Sequence, residues 1–312
     1  MNRSLDMSSS ARKWHRWKIA GSIIAVLLLA GAVWLIVSKS GEVAQAWAAL
    51  THPNPWWLLL LFAGVLAAVP VSAVSQVLML ARTSGVRVHL GEMSALVVLS
   101  TLLNMLPLWP GALGRIGYHR VVHGIPPMRA GMAIVSVRLL GLFAGVALLA
   151  LAWLLGDGGT GLIIAAWLSV LVGFLLLSLP TAARLPALTA ASCWVDLGVS
   201  AIRYVAAFHL LDATLDGGMA AAISGTASIA SSVPFVGGAP GLREWAVGWM
   251  NAQLQFIPDA LVLGVLADLL VRAATFVVML PLGLIAGRGL SRNLKAAAVV
   301  MAAKDRSPSP QP

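Results

Sequence analysis

Apolar residues fall in long runs along this chain, and polar residues mark where the runs end. Ile19 to Val37, Trp56 to Leu80, Met132 to Leu155, Leu162 to Leu179, Leu188 to Leu211 and Pro258 to Ala286 are the long runs. Each reaches or approaches the ~20 residues with which a helix crosses a bilayer core. Two further apolar stretches are interrupted. Gly91 to Trp109 ends in a cluster of prolines and glycines, and so does Met219 to Gly241, after which Leu242 to Ile257 resumes. A membrane β-barrel would show short alternating segments instead. The pattern predicts an all-α polytopic membrane protein.

The two interruptions match each other. Pro107, Pro110, Gly111 and Gly114 align at one constant offset with Pro234, Gly237, Gly238 and Gly241, and both read P-x-x-[PG]-G-x-x-G. Arg115 follows the first, and Arg243 and Glu244 follow the second. Simple helix kinks are the rival reading, but two such copies in similar surroundings make it the weaker one and suggest an internal repeat.

Charge decides the direction of the segments. Basic residues collect on the cytoplasmic side of membrane proteins. Arg82, Arg87 and His89 precede the stretch 91–109, and Arg115, His119, Arg120, His123 and Arg129 follow it. Both ends of that stretch then lie inside, which makes it a re-entrant hairpin. The segments 40–55, 156–161 and 212–218 contain neither Arg nor Lys and are read as outer loops. The layout is about six full spans plus two re-entrant helical hairpins, with both termini cytoplasmic. Unit one (about 56–155) starts outside and unit two (about 188–286) starts inside. This is an inverted-topology repeat, an arrangement in which broken helices build a substrate site near the midplane. Flanking the domain 19–290 are a basic segment, 1–18, and a basic, partly disordered tail, 291–312. For the first run the rival reading is a signal peptide, because Ala44 and Ala46 resemble a cleavage site. Its length and the intervening Lys39 favour an uncleaved anchor.

Composition agrees. Of 312 residues, 59% are hydrophobic and 10% charged, too few charges to cover a soluble core. The net charge of +10 sits in loops and tails, as membrane orientation requires, and does not indicate nucleic acid. The single cysteine, Cys193, excludes an intrachain disulfide framework and reads as an apolar filler. His119, His123 and His209 show no ligand-like spacing, so no metal or cofactor is expected.

Ionisable residues inside the membrane are costly and are functional candidates by default. Arg138 lies ~8 Å into its span from Ala133, at 1.5 Å per residue. Asp268 and Arg272, four apart, share a helix face and can pair. Asp196 and Arg203, seven apart, share another and read as structural. Arg115 stands directly after the first break and either binds ligand or snorkels to the inner interface. A helix starting after a break offers its positive end to an anion, and arginine adds a planar fork that matches phosphate. Arg115, Arg138, Arg243 and Arg272 are therefore the candidate phosphate ligands, with Glu244 and Asp268 holding or balancing them.

These residues resemble a known family. Asn104, Pro107, Gly111 and Arg115, followed by Tyr118 and by Gly124, Ile125 and Pro126, look like the first signature of the lysylphosphatidylglycerol synthetase transmembrane (flippase-like) family. Pro234, Gly238, Gly241, Arg243 and Glu244, with Arg272 downstream, look like the second. The resemblance covers roughly residues 20 to 290. It implies a flippase-type fold and lipid translocation, or an associated role in lipid and envelope pathways, in the bacterial inner membrane. Trp109 and Val137 stand where members often carry charge, so the cargo here can differ. The soluble aminoacyl-transferase domain of the full synthetases is absent from the sequence. The expectation is a non-enzymatic transporter of an anionic, phosphate-bearing lipid. The alternatives are a membrane scaffold for a lipid-biosynthesis enzyme and a lipid-modifying enzyme, the latter without a nucleophile–base set to support it.

Overall fold

The computed structural model describes residues 51–105, 110–154, 181–233, 241–255 and 260–306. Local signals set the ends of its helices. Helix α1 (Pro55–Ser84) begins where Asn54 Oδ1 accepts from the Trp56 amide at 3.0 Å, with Pro55 in the first turn. It stops at Gly85, which takes φ 75° and returns its N–H to the Ala81 carbonyl. Helix α2 (Leu90–Leu103) is capped by His89, and α3 (Pro110–His123) opens on a proline. Gly124, at φ 64°, turns the chain into α4 (Pro127–Leu154). Then follow α5 (Thr181–Leu210), α6 (Gly217–Ser232), capped by Asp216, α7 (Leu242–Gln255) and α8 (Ala260–Arg306).

Pro55–Ser84, Pro127–Leu151, Arg184–Leu210 and Ala260–Ala297 are long and apolar enough to cross a membrane. Leu59, Leu66, Val135, Phe143, Phe276, Leu284 and Ile285 stand exposed on them, as lipid-facing side chains do. The protein is a multi-pass helical membrane protein. Helices α2, α3 and α7 have 14 residues and α6 has 16, or ~21–24 Å at 1.5 Å per residue, short of a ~30 Å hydrocarbon core.

The order long, short, short, long occurs twice, as α1 to α4 and as α5 to α8. Packing follows that order. The opening helices α1 and α5 pack on each other at the centre. The closing helix of each half packs on the first short helix of the other: α4 on α6, and α8 on α2. Glycines permit these approaches. A Cβ on Gly225 would lie 2.7 Å from the Gly145 carbonyl of α4, and one on Gly283 would lie 2.5 Å from Leu102 of α2. Within the second half, a Cβ on Gly264 of α8 would lie 2.8 Å from Gly248 Cα of α7.

Several expectations are adjusted. Gly111 and Gly114 lie inside α3, because Pro110 already starts the helix. Gly111 instead serves close packing. A Cβ there would collide with the Ser100 carbonyl, and its N–H donates to Asn104 Oδ1 at 3.1 Å. Gly241 does lie outside helix, at φ 121°, immediately before α7. The expected tail begins at 291, but α8 continues to Arg306. Between Gly289 and Pro308 the chain has neither glycine nor proline and is rich in Ala, Lys, Leu and Met, which favour helix. The runs Ile19 to Val37 and Leu162 to Leu179, and Pro107, Pro234, Gly237 and Gly238, lie outside the described residues.

Candidate functional site

A cavity of about 150 Å³ lies among α1 to α6, where the two halves meet. Arg115 of α3 and Arg138 of α4 both line it, and each feels the other's charge. Arg115 is 6% exposed, so it does not snorkel to an interface, and its Nε has no hydrogen-bond partner among the described residues. Asp196 of α5 completes the ionisable set; it is close enough to act on Arg138 and accepts from Ser72 Oγ at 3.5 Å. The remaining wall is largely polar. Ser75 and Gln76 come from α1, Ser100, Thr101 and Asn104 from α2, Ser228 and Ser232 from α6. Cys193 also borders the cavity and is buried, 3.9 Å from the Val137 carbonyl, as an apolar filler would be.

A polar cavity surrounded by apolar helices has a physical consequence. Arg115 and Arg138 outnumber Asp196, the carboxylate on this wall, and Arg203 also lies beside that carboxylate. The cavity lining is therefore net positive, in a setting where interactions are screened less than in bulk water. An anion entering the cavity would be drawn to the arginine side.

The other four candidate residues form a separate group on the second half. Arg243 reaches Asp268 through Nε and Nη2, at 2.8 and 2.6 Å to Oδ1 and 3.1 Å from Nε to Oδ2. The Tyr204 hydroxyl donates to the same Oδ1 at 2.6 Å. Arg272 Nε lies 2.7 Å from Glu244 Oε1. Glu244 also accepts from the Gly241 amide at 2.7 Å, three residues back, which is one half of a capping box. Both carboxylates are buried, at 1% exposure for Glu244 and 0% for Asp268.

Asp268 and Arg272 pair across the helical turn as expected, at 3.7 Å, but within a wider network in which Asp268 is held more closely by Arg243 and Tyr204 and Arg272 by Glu244. Helical spacing allows the local pair, but the facing helix α7 supplies better donors and acceptors. The six residues are thus not one set: Arg115 and Arg138 are in the cavity, and Arg243, Glu244, Asp268 and Arg272 form a charge-balanced network.

Arg203 stands between the two groups. It feels Asp196 on one side and Arg243 and Asp268 on the other. Gly64 of α1 makes its place, since a Cβ there would lie 2.6 Å from Arg203 Cγ. The reading of Asp196 and Arg203 as structural therefore misses that Asp196 faces the cavity. Nothing along the chain singles out Tyr204. The serines and threonines do carry a usable signal: Ser72, Ser75 and Gln76 recur at helical spacing inside an apolar run, and so do Ser228 and Ser232.

A third polar group lies on the first half. The Tyr118 hydroxyl donates to Glu92 at 2.6 Å and accepts from Asn293 at 3.1 Å, and His123 Nε2 lies 3.2 Å from Glu92. His119 and His123, one helical turn apart, have ring centroids 5.5 Å apart. This group ties α2, α3 and α8 together.

The fold and the cavity define a multi-pass helical membrane protein with a charged, polar cavity between two similarly ordered halves. No family model, curated protein or solved structure matches the chain.

Proposed function

We propose that the protein is a flippase-like transporter that moves an anionic, phosphate-bearing lipid between the leaflets of the bacterial inner membrane. The observation that carries this reading is the cavity lined by Arg115 and Arg138, with the Arg115 Nε unpartnered among the described residues. Arginine matches phosphate geometry through its planar fork. A headgroup phosphate entering the cavity would give the Arg115 Nε a hydrogen-bond acceptor.

In this reading the two halves form an inverted-topology repeat, of the kind suggested by the similarity to flippase-like membrane domains. Support comes from the packing. Exchanging α1 to α4 with α5 to α8 converts the pairs α4–α6 and α8–α2 into each other, α3–α4 into α7–α8 and α2–α3 into α6–α7. The short helices α2/α3 and α6/α7 would be the re-entrant hairpins, one entered from each side. With the runs at 19–37 and 162–179 the spans number six, and both termini face the cytoplasm. Arg243 and Arg272, held by Asp268 and Glu244, would meet the phosphate on its way past the second hairpin. No cofactor or metal enters the mechanism. Movement would follow the lipid gradient or be drawn by a reaction that consumes the lipid on arrival.

The test is lipid transfer in proteoliposomes, with acyl-labelled anionic lipid quenched from outside. Arg115→Ala and Arg138→Ala are each expected to lower the transfer rate at least about tenfold, the loss of one charge-assisted contact. Transfer at the parental rate in both folded variants would sink the proposal. Absence of transfer by the parental protein, with a lipid-modifying enzyme co-purifying, would favour the scaffold instead.

A further inference from the structure

Arg115, His119 and His123 follow one another at four-residue steps, so they stack along one side of α3. Arg115 ends this column at the cavity. His123 ends it beside Glu92 of α2, 3.2 Å away, and both side chains are 17% exposed. Arg120, Arg129 and Arg292, on α3, α4 and α8 nearby, are exposed and mark this end as the one facing water. His119 lies between the two ends, 3% exposed, and its Nδ1 has no hydrogen-bond partner among the described residues. A buried polar nitrogen without a partner costs stability. The ring contacts of His119 with Tyr118 and His123 would be made as well by an apolar ring.

The neighbours of His119 govern its charge. Burial disfavours a protonated imidazole, as do His123 and Arg115 on the same helix, while Glu92 of α2 favours it. The Tyr118 hydroxyl is engaged by Glu92, and His89 of α2 is exposed. From α4, Arg138 acts on Arg115 and Arg129 is exposed. From α8, Asn293 is uncharged, and Arg288, Arg292 and Lys295 are exposed, where solvent screens them. Arginine keeps its proton, so of Arg115 and His119 only the histidine can give up its charge. An anion against Arg115 reverses the balance, because it brings a negative charge within one helical turn of the imidazole. We propose that His119 is a proton-binding site coupled to the anion site: as an anion settles against Arg115, an imidazole lone pair of His119 takes up one proton from the water at the His123–Glu92 end. An N–H bond forms and nothing is oxidised or reduced. This inference rests on the reading of the cavity as an anion site. By linkage the proton must in turn tighten the anion. A singly charged anion carried together with a proton moves no net charge against a membrane potential.

The experiment is calorimetric titration of the purified full chain with short-chain phosphatidylglycerol between pH 8 and pH 5, a range over which this phosphodiester keeps its single charge. Short-chain phosphatidylcholine, with no net charge, is the control. Repeating each titration in buffers of different ionisation enthalpy counts the protons taken up. Affinity for phosphatidylglycerol is expected to rise about tenfold from pH 8 to pH 5, a usual size for coupling between two sites, with net proton uptake within that range. His119→Gln is expected to remove both effects, and His123→Gln to keep them. Where glutamine does not fold, His119→Phe preserves the ring contacts and removes the proton acceptor. Phosphatidylglycerol bound more tightly than phosphatidylcholine, but equally at pH 8 and pH 5 and without proton uptake, would overturn the proton site and leave the anion reading standing. Proton uptake that persists in the His119 variants would assign the proton to another group and overturn the inference. Phosphatidylglycerol bound no better than phosphatidylcholine at every pH would overturn the anion reading and this inference together.

Discussion

Asp268 accepts hydrogen bonds from Arg243 and Tyr204 with no exposure to solvent. Such a carboxylate is tolerable only while its donors remain. Removing one member of a buried ion pair leaves the other uncompensated, at about 3–5 kcal/mol. Arg243→Ala is therefore expected to destabilise the folded protein by about 3 kcal/mol, and Asp268→Ala similarly. The double variant should lose less than the two singles combined, because neither charge is then left alone. Unfolding of the purified protein in detergent measures this; strict additivity would show that the two residues do not depend on each other. The same reasoning separates the two arginine groups. Arg243 and Arg272 have carboxylate partners, so their loss acts first on stability. Arg115 and Arg138 face the cavity, so their loss should act first on transfer.

Among the helices, the closest approaches rest on positions that admit no side chain. Gly111 sits against the Ser100 backbone where α2 and α3 cross, and backbone cannot move aside as a flexible side chain can. Gly111→Ala is expected to cost about 1–3 kcal/mol as overpacking and to shift Arg115, four residues on. Gly117→Ala, on the same helix with nothing within 4 Å of its Cβ, is the control and should be neutral or slightly stabilising. Equal stability of the two variants would contradict the close crossing. The proline–glycine pattern marks the places along the chain where the short helices of each half meet. It does not give the role of Gly111, because a glycine needed for a turn and a glycine needed for close approach look alike in one dimension. The serines of the cavity wall are hard to read for a related reason. Hydroxyls that donate to their own helix backbone are common in apolar helices, and only the convergence of α2, α4 and α6 shows which of them share a cavity.

For the molecule as a whole, the proposed inversion of the two halves makes a prediction about sides. The turn between α1 and α2 and the turn between α5 and α6 occupy the same place in their halves, and Arg87 and Thr214 are exposed in them. Arg87→Cys and Thr214→Cys are expected to react with a membrane-impermeant thiol reagent from opposite faces, Thr214→Cys from outside. The buried Cys193 should stay silent in the parental protein. Labelling of both positions from one face would rule out the inverted arrangement and leave the helix packing unexplained by it.

Membrane residence, the long helices and the recurrence of a broken apolar stretch in each half are readable along the chain. They depend on quantities that accumulate locally: apolar run length, the placement of bases, and recurring proline and glycine. The division of six charged candidates into a cavity and a balanced network is not readable there. Which guanidinium meets which carboxylate depends on how α7 and α8 pack on each other and on α5. Asp268 pairs with Arg272 four residues away at 3.7 Å, yet is held more closely, at 2.6 Å, by Arg243 of another helix, because a side chain pairs with the donors packed around it in three dimensions.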